Sequence, residues 1–153
     1  MAIKGPRNFS LGADSEISYF MNEAAEAGII VVYTADDITD LSLDNAANEV
    51  AIPTDNDDGY PAGLLLQDVL DLDLTYSAGP LWGTQALVGE KVELAKGGWY
   101  QTDKLKSGDT PERGEDAYYA ADGELSTSGI HRVGEFESGV NSEGFVRVRI
   151  QLN

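Results

Sequence analysis

Residues 60–75 constrain the fold of this chain more than any other stretch, because leucines recur there at every second position. Numbered as a strand, one face carries five leucines and is interrupted only by Asp68, while the other face changes from apolar to acidic. Period-2 patterning of this kind is typical of a strand with one face on a core. We therefore predict one strand over this stretch, with its leucine face buried.

A helix is the alternative reading of the same residues, because Leu66, Val69 and Leu70 also share helical spacing. The end of the stretch, residues 70–74, reads Leu-Asp-Leu-Asp-Leu. A helix would spread those aspartates around its surface, whereas a strand places them on one face. The alternation therefore favours the strand.

Composition points to an all-β chain. The protein has 153 residues, of which 42% are hydrophobic and 17 are glycine, and it has no cysteine. That length is sufficient for one domain with a real core, and many glycines with few long helix-forming runs favour strands joined by turns. The absence of cysteine excludes disulfides and cysteine-based metal sites.

Further strands are predicted along the chain, and they are clearest towards its end. Residues 117–126 predict a hairpin around Asp122-Gly123, a type I′ turn signal. Residues 145–152 alternate, with Val146, Val148, Ile150 and Leu152 inward. In total we expect seven to nine strands in a small barrel or sandwich. The remaining strands are predicted at residues 29–34, 49–52, 90–102 (with a bulge at Gly97-Gly98) and 132–137.

Three segments have a less definite pattern. Residues 14–28 fit either a short helix or a strand over 16–21 followed by a loop. Residues 77–89 contain several glycines and a proline and predict a long loop, in which Trp82 is either a lid over the core or a contact residue. Residues 1–14 predict a flexible N-terminal arm, and residues 15–153 a single β-rich domain.

Charge is distributed unevenly. The net charge is −17, and residues 8–90 contain sixteen acidic residues but no lysine or arginine. Such a surface would repel nucleic acid, because phosphate binding requires cations. No apolar run approaches the roughly 20 residues that a helix needs to cross a bilayer. We therefore expect neither nucleic acid nor membrane as a partner.

The search for reactive residues predicts no enzyme, no cofactor and no metal site. His131 is the single histidine and has neither a second histidine nor a cysteine with which to complete a zinc site. The run 55–59 begins like a calcium-binding loop, but its glycine is one position early and the twelfth position lacks glutamate. Residues Asp36, Asp37, Asp40 and Asp44 could surround a cation, but solvated turn residues are the simpler reading.

Several segments, taken in order, resemble the head decoration (capsid cement) proteins of tailed bacteriophages. The similarity lies in KVELAKGGWYQTD (91–103), AYYAADGELSTS (117–128), HRVGEFES (131–138) and the final FVRVRIQL (145–152). Two earlier segments, SYFMNEAAEAGIIVV (18–32) and the leucine stretch itself, look like the longer members of that family. Residues 36–58 and 82–85 match poorly.

The resemblance implies a β-barrel or β-tulip-like core on the outer surface of a mature virion, after synthesis in the bacterial cytoplasm. Its implied partners are the major capsid protein and further copies of itself, as a homotrimer or a dimer. We expect the arm to contact the capsid through Ile3, Lys4, Arg7 and Phe9. Oligomer contacts would suit the aromatic residues Tyr19, Phe20, Trp82 and Trp99.

The alternative function is a carbohydrate- or receptor-binding β module on a virion surface. Trp82, Trp99 and Tyr100 lining a groove beside carboxylates would favour it.

Overall fold

The computed structural model describes residues 3–4, 15–34, 49–71 and 85–152. Residues 3–4 and 15–18 are described by their backbone only. Within these ranges the chain is nearly all β, as predicted, with a closed barrel and a separate larger sheet. The strands are β1 (Ile3–Lys4), β2 (Ser15–Met21), β3 (Ile30–Tyr33), β4 (Glu49–Ala51), β5 (Pro61–Leu65), β6 (Asp68–Leu70), β7 (Gln85–Leu87), β8 (Lys91–Ala95), β9 (Gly97–Thr102), β10 (Asp116–Tyr119), β11 (Leu125–Ser126), β12 (Arg132–Phe136) and β13 (Val146–Gln151).

Five strands close a small barrel in the order β2-β4-β3-β5-β8. The neighbours pair antiparallel except β2 and β4, which run parallel with Phe20 opposite Glu49 and Met21 opposite Val50. Closure satisfies the backbone groups that an open sheet would leave at its edges.

The C-terminal half forms most of a six-stranded antiparallel sheet in the order β1-β9-β13-β12-β10-β11. One edge, β11, is covered by the loop at residues 104–106, since the Leu125 N–H donates to Lys104 and the Leu125 carbonyl accepts from Lys106. At the other edge the N-terminal strand β1 adds to β9, with Ile3 opposite Thr102 and Lys4 opposite Gln101.

Two hydrophobic cores result, because β3 and β5 bury both of their faces. In β3, Val31 belongs to one core while Ile30 and Val32 belong to the other, as alternation along a strand requires. The barrel core contains Tyr19, Met21, Ile29, Val31, Val50, Ala62, Leu65, Val69, Ala86, Val92 and Leu94. The interlayer core joins barrel and sheet and contains Ala27, Ile30, Val32, Leu64, Ala95, Tyr100, Ala117, Tyr119, Leu125, Val133, Phe136, Val146, Val148 and Ile150.

The prediction of one continuous strand over residues 60–75 is wrong. The described part of the stretch is two strands, β5 and β6, separated at residues 66–67. Leu64 and Leu65 are both fully buried, one in each core, so the stretch has no single leucine face. Asp68, the one polar residue on the predicted leucine face, has a structural role: its Oδ1 accepts a hydrogen bond of 2.8 Å from the Ala27 backbone N–H. Residues 72–75 lie outside the described ranges.

Of the two alternatives for residues 14–28, the strand followed by a loop is confirmed over the described residues 15–28, since β2 occupies 15–21. Two other predictions near the barrel need correction. The predicted loop at 77–89 contains β7, which pairs in parallel with β6. The strand predicted at 90–102 is interrupted at Lys96, and Gly97 begins β9 instead of forming a bulge.

The predictions for the C-terminal hairpin, for the last strand and for three further strands are confirmed. In the hairpin between β10 and β11, Asp122 and Gly123 both have positive φ, 60° and 74°, as the type I′ turn requires. In β13, Val146, Val148 and Ile150 are buried. The strands predicted at 29–34, 49–52 and 132–137 correspond to β3, β4 and β12.

Asp109 joins the loop before β10 to the end of β11. Its Oδ2 accepts hydrogen bonds from the Ser126 hydroxyl at 2.7 Å and from the Thr127 backbone N–H at 2.9 Å. Burial by itself would raise the pKa of this carboxyl, but the Thr127 and Ser126 donors hold its pKa below the ordinary value.

We expect Asp109→Asn to lower the free energy of unfolding at pH 7 by on the order of 1 kcal/mol, because both donors lose an ionised acceptor. Since the folded pKa lies below the unfolded one, this contribution is present above about pH 4 and is lost as the pH falls through the folded pKa. Urea unfolding at pH 7 and near pH 3 should show the two proteins converging. Asp103→Asn, at an exposed carboxylate, is the control, and a difference independent of pH would contradict the assignment.

Candidate functional site

Two surfaces of the described chain are candidates for function. The first is the edge of the six-stranded sheet formed by β1 and β9. The second is an open groove of about 420 Å³ where the barrel meets the sheet. We call it the tyrosine groove; it is lined by Tyr33, Tyr60, Lys96, Ile130, His131 and Arg132, and also by Pro61, Ala62 and Leu152.

The tyrosine groove is assembled from separate parts of the sequence. Tyr33 ends β3, Tyr60 precedes β5, and Lys96 lies between β8 and β9. His131 lies directly before β12 and Arg132 begins it. Tyr33 and Tyr60 come from the barrel side of the groove, and His131 and Arg132 come from the sheet side. Packing of the barrel on the sheet across the interlayer core therefore determines the shape of the groove.

His131 is held between two tyrosines. Its ring lies parallel to that of Tyr119, with centroids 5.8 Å apart, and meets the Tyr60 ring at 62° with centroids 5.2 Å apart. Its Nε2 is 3.5 Å from Oδ1 of Asp57. The Tyr60 side of this arrangement is open, since Tyr60 is 75% exposed.

Tyr119 anchors the acidic loop at residues 54–59 beneath His131. The Tyr119 hydroxyl donates a hydrogen bond of 2.5 Å to the Gly59 carbonyl. Burial raises the pKa of this hydroxyl, and the carboxylates of Asp57, Asp58 and Asp55 raise it further, so it remains a donor.

The carboxylates of that loop act as turn acceptors. Asp58 accepts hydrogen bonds from the backbone N–H and the hydroxyl of Thr54, and these donors lower the pKa of Asp58. Asp55 accepts from the Asp57 backbone N–H at 2.8 Å. Across the described ranges, no three histidine or acidic side chains are grouped closely enough to hold a metal ion. The aspartates at 36, 37, 40 and 44 lie outside those ranges.

Lys96 also lines the groove, and its ammonium contacts two tyrosines. Its Nζ donates to the Tyr19 hydroxyl at 2.8 Å and to the Tyr33 hydroxyl at 3.0 Å, and it lies 5.0 Å and 5.7 Å from the two ring centroids. Arg132, the first residue of β12, donates from Nε to Asp116 at 2.6 Å and from both terminal nitrogens to Gln151. Both cations are therefore held in defined positions.

The chain matches no protein-family model, no curated protein and no solved structure. Within the part of the chain that the structure describes, no helix has both the length and the apolar character to cross a bilayer.

The residues predicted for capsid contact fall partly within the structure. Ile3 and Lys4 form β1 at the edge of the six-stranded sheet. Arg7 and Phe9 lie outside the described residues, so their contribution stays a prediction.

The aromatic residues predicted for oligomer contact do not share one environment. Tyr19 is only 7% exposed and belongs to the barrel core. Phe20 and Trp99 are half-buried, Phe20 beneath the Lys91 ammonium at 5.6 Å and Trp99 beneath the Arg147 guanidinium at 4.4 Å. Trp82 lies outside the described ranges. Their role as an oligomer interface stays a prediction.

The groove was not predicted by sequence reasoning. Of the trio Trp82, Trp99 and Tyr100, the two residues that the structure describes, Trp99 and Tyr100, do not line it. Tyr100 is 9% exposed in the interlayer core, and Trp82 lies outside the described residues. The sequence indicates His131 only as a single histidine without the partners of a zinc site. A usable signal was the pair Tyr60-Pro61, which places an aromatic residue directly before a strand and after the turn-rich loop.

Proposed function

We propose that this protein is a head decoration (cement) protein of a tailed bacteriophage. It binds the outer surface of the mature head and stabilises contacts between major capsid protein subunits. Its partners are the major capsid protein and further copies of itself, as a trimer or a dimer, and it is a structural protein rather than an enzyme. The resemblance of the sequence to decoration proteins, together with the all-β body, supports this proposal.

One observation carries the proposal: the N-terminal arm adds a strand to the edge of a sheet. Among the described residues, β1 pairs with Gln101 and Thr102 of β9. Backbone hydrogen bonds contribute roughly 1 kcal/mol each, so the described pairing is weak and can be exchanged for the same pairing with a neighbouring chain. Addition of a strand to an exposed edge is a common mode of protein recognition.

A decoration protein also needs a rigid body and many modest contacts. The barrel and the sheet share the interlayer core, and the structure shows no buried side-chain polar atom without a partner among its described residues. Repeated attachment over a symmetric head converts weak single contacts into stable binding, by about 10²–10⁴-fold where the geometry fits.

The test is attachment to heads assembled without the protein. We expect the wild-type protein to bind them and to raise the temperature at which they rupture. A double substitution, Ile3→Pro with Lys4→Pro, removes both backbone donors of β1 and should weaken binding by about tenfold or more.

The control for this experiment is Arg113→Gln, which alters an exposed cation in the loop before β10, a strand that neighbours neither β1 nor β9 in the sheet. Circular dichroism and thermal melts should show that the proline variant keeps its fold. Heads that neither bind the protein nor gain heat resistance would contradict the decoration function. Equal binding by the proline variant would contradict the role of β1 alone.

A further inference from the structure

We propose that the tyrosine groove binds a saccharide that carries a carboxylate. This site is separate from the β1–β9 edge and does not depend on capsid attachment. The inference rests on the shape of the groove, on the exposed aromatic ring beside it, and on the charge of its lining.

The aromatic ring is the first element. Tyr60 is 75% exposed, and its orientation is supported by the His131 ring, whose centroid lies 5.2 Å away. His131 is in turn supported by the fully buried Tyr119. A braced, open ring offers a flat apolar surface for the C–H face of a sugar at small cost in side-chain entropy.

The charge of the lining is the second element. The chain carries 27 acidic and 10 basic residues, yet the described lining of the groove contains Lys96, His131 and Arg132 and no acidic residue. Asp57 and Asp116 contact His131 and Arg132 from outside that lining, and a Glu135 carboxylate oxygen lies 4.0 Å from the Arg132 guanidinium. A groove with this bias in so acidic a protein favours a negatively charged group. Arginine and lysine are the usual donors to a carboxylate.

The size of the groove is the third element. Its volume of about 420 Å³ lies within the roughly 300–1,000 Å³ typical of small-molecule sites. A specific protein–protein interface buries about 800 Å² of surface on each partner. The nine residues that line the groove are too few to form such an interface by themselves. The tyrosine hydroxyls and the cations provide hydrogen-bonding groups for sugar hydroxyls, while Ile130, 57% exposed, extends the apolar side.

The experiment begins with the intact protein on an array of glycans that bear uronic or sialic acids, each paired with its carboxyl-reduced form. We expect binding to acidic glycans only, and weaker binding as salt is raised. Trigalacturonic acid and 3′-sialyllactose are then titrated into the protein by calorimetry, and their affinities are compared with that of a glycan selected on the array. No enriched acidic glycan, or equal binding of the reduced forms, would overturn the proposal.

Two variants locate the site. Tyr60→Ala should weaken binding of the acidic glycan by about tenfold, because the stacking surface is lost. Arg132→Gln should lessen the preference for the acidic over the reduced form, while Lys106→Gln, outside the groove, should bind like wild type. Thermal melts confirm that each variant is folded. Unchanged binding by Tyr60→Ala would place the ligand outside the groove and refute the site. Stronger binding of poly-glutamate than of any glycan would show that the ligand is not a saccharide and would also refute the proposal.

Loss of glycan binding in Tyr60→Ala should leave head attachment unchanged. The two proposals can therefore fail independently.

Discussion

Gly123→Ala is expected to lower the free energy of unfolding by about 2–5 kcal/mol, although it adds only one methyl group. The residue has φ of +74° in the type I′ turn, where an alanine costs about 1–2 kcal/mol. A Cβ at this position would also lie 2.3 Å from the Ile30 carbonyl oxygen and 3.1 Å from the Ile29 Cβ. Overpacking against backbone typically costs about 1–3 kcal/mol more.

The physical reason is that this turn connects the two parts of the fold. The Asp122 backbone N–H donates to the Pro53 carbonyl at 2.9 Å, so the hairpin tip lies against the barrel next to β3. The added methyl group must displace either the turn or β3, and both contribute to the interlayer core.

Gly108→Ala is a matched control for that experiment. Gly108 also has positive φ, +92°, but nothing lies within 4 Å of its added Cβ. Its cost should therefore be limited to about 1–2 kcal/mol from the backbone. Urea unfolding of both variants measures the difference, and equal effects would show that the contact with Ile30 relaxes without cost.

Phe136→Ala is expected to lower the free energy of unfolding by about 3–5 kcal/mol, because it removes a fully buried ring from the interlayer core. For a chain of this size the midpoint of thermal unfolding should fall by roughly 6–20 °C. The β12 backbone on which this residue lies is fixed on both sides, since Phe136 bonds to Glu115 and Gly114 and pairs with Val148. The cavity is therefore hard to close.

Val140→Ala is the control for the Phe136 substitution, because Val140 is 46% exposed. Its effect should stay within about 0.5 kcal/mol. Thermal and urea unfolding should both be recorded, with an unchanged denaturant slope as the sign that two-state unfolding is retained. A loss below about 1 kcal/mol for Phe136→Ala would contradict a single, tightly packed interlayer core.

Prediction from sequence succeeded where the determining interactions are local. The turn at Asp122-Gly123 requires positive φ, which glycine accepts readily and aspartate tolerates. The alternation of Val146, Val148 and Ile150 fits a strand with one buried face, and β13 has one. Each of these signals lies within a few neighbouring residues.

Prediction failed where a strand is buried on both faces or is paired with a distant segment. Leu64 and Leu65 enter different cores, so a period of two could not identify the inner face of that strand. Parallel pairing of β6 with β7 joins Val69 to Ala86 across a long connection, for which no local residue pattern exists. The candidate site belongs to this second class, because Tyr60 and His131 meet only after the barrel packs on the sheet.

The sequence by itself determined the β class, the main turns, the buried residues of the C-terminal strands and the strongly acidic charge. These follow from backbone geometry, side-chain alternation and composition, which act over short distances. The tertiary structure alone decided how the barrel closes, which core receives each leucine and which side chains form the groove. Those outcomes depend on packing between segments far apart in the chain, where the burial of one face is defined only by the element that covers it.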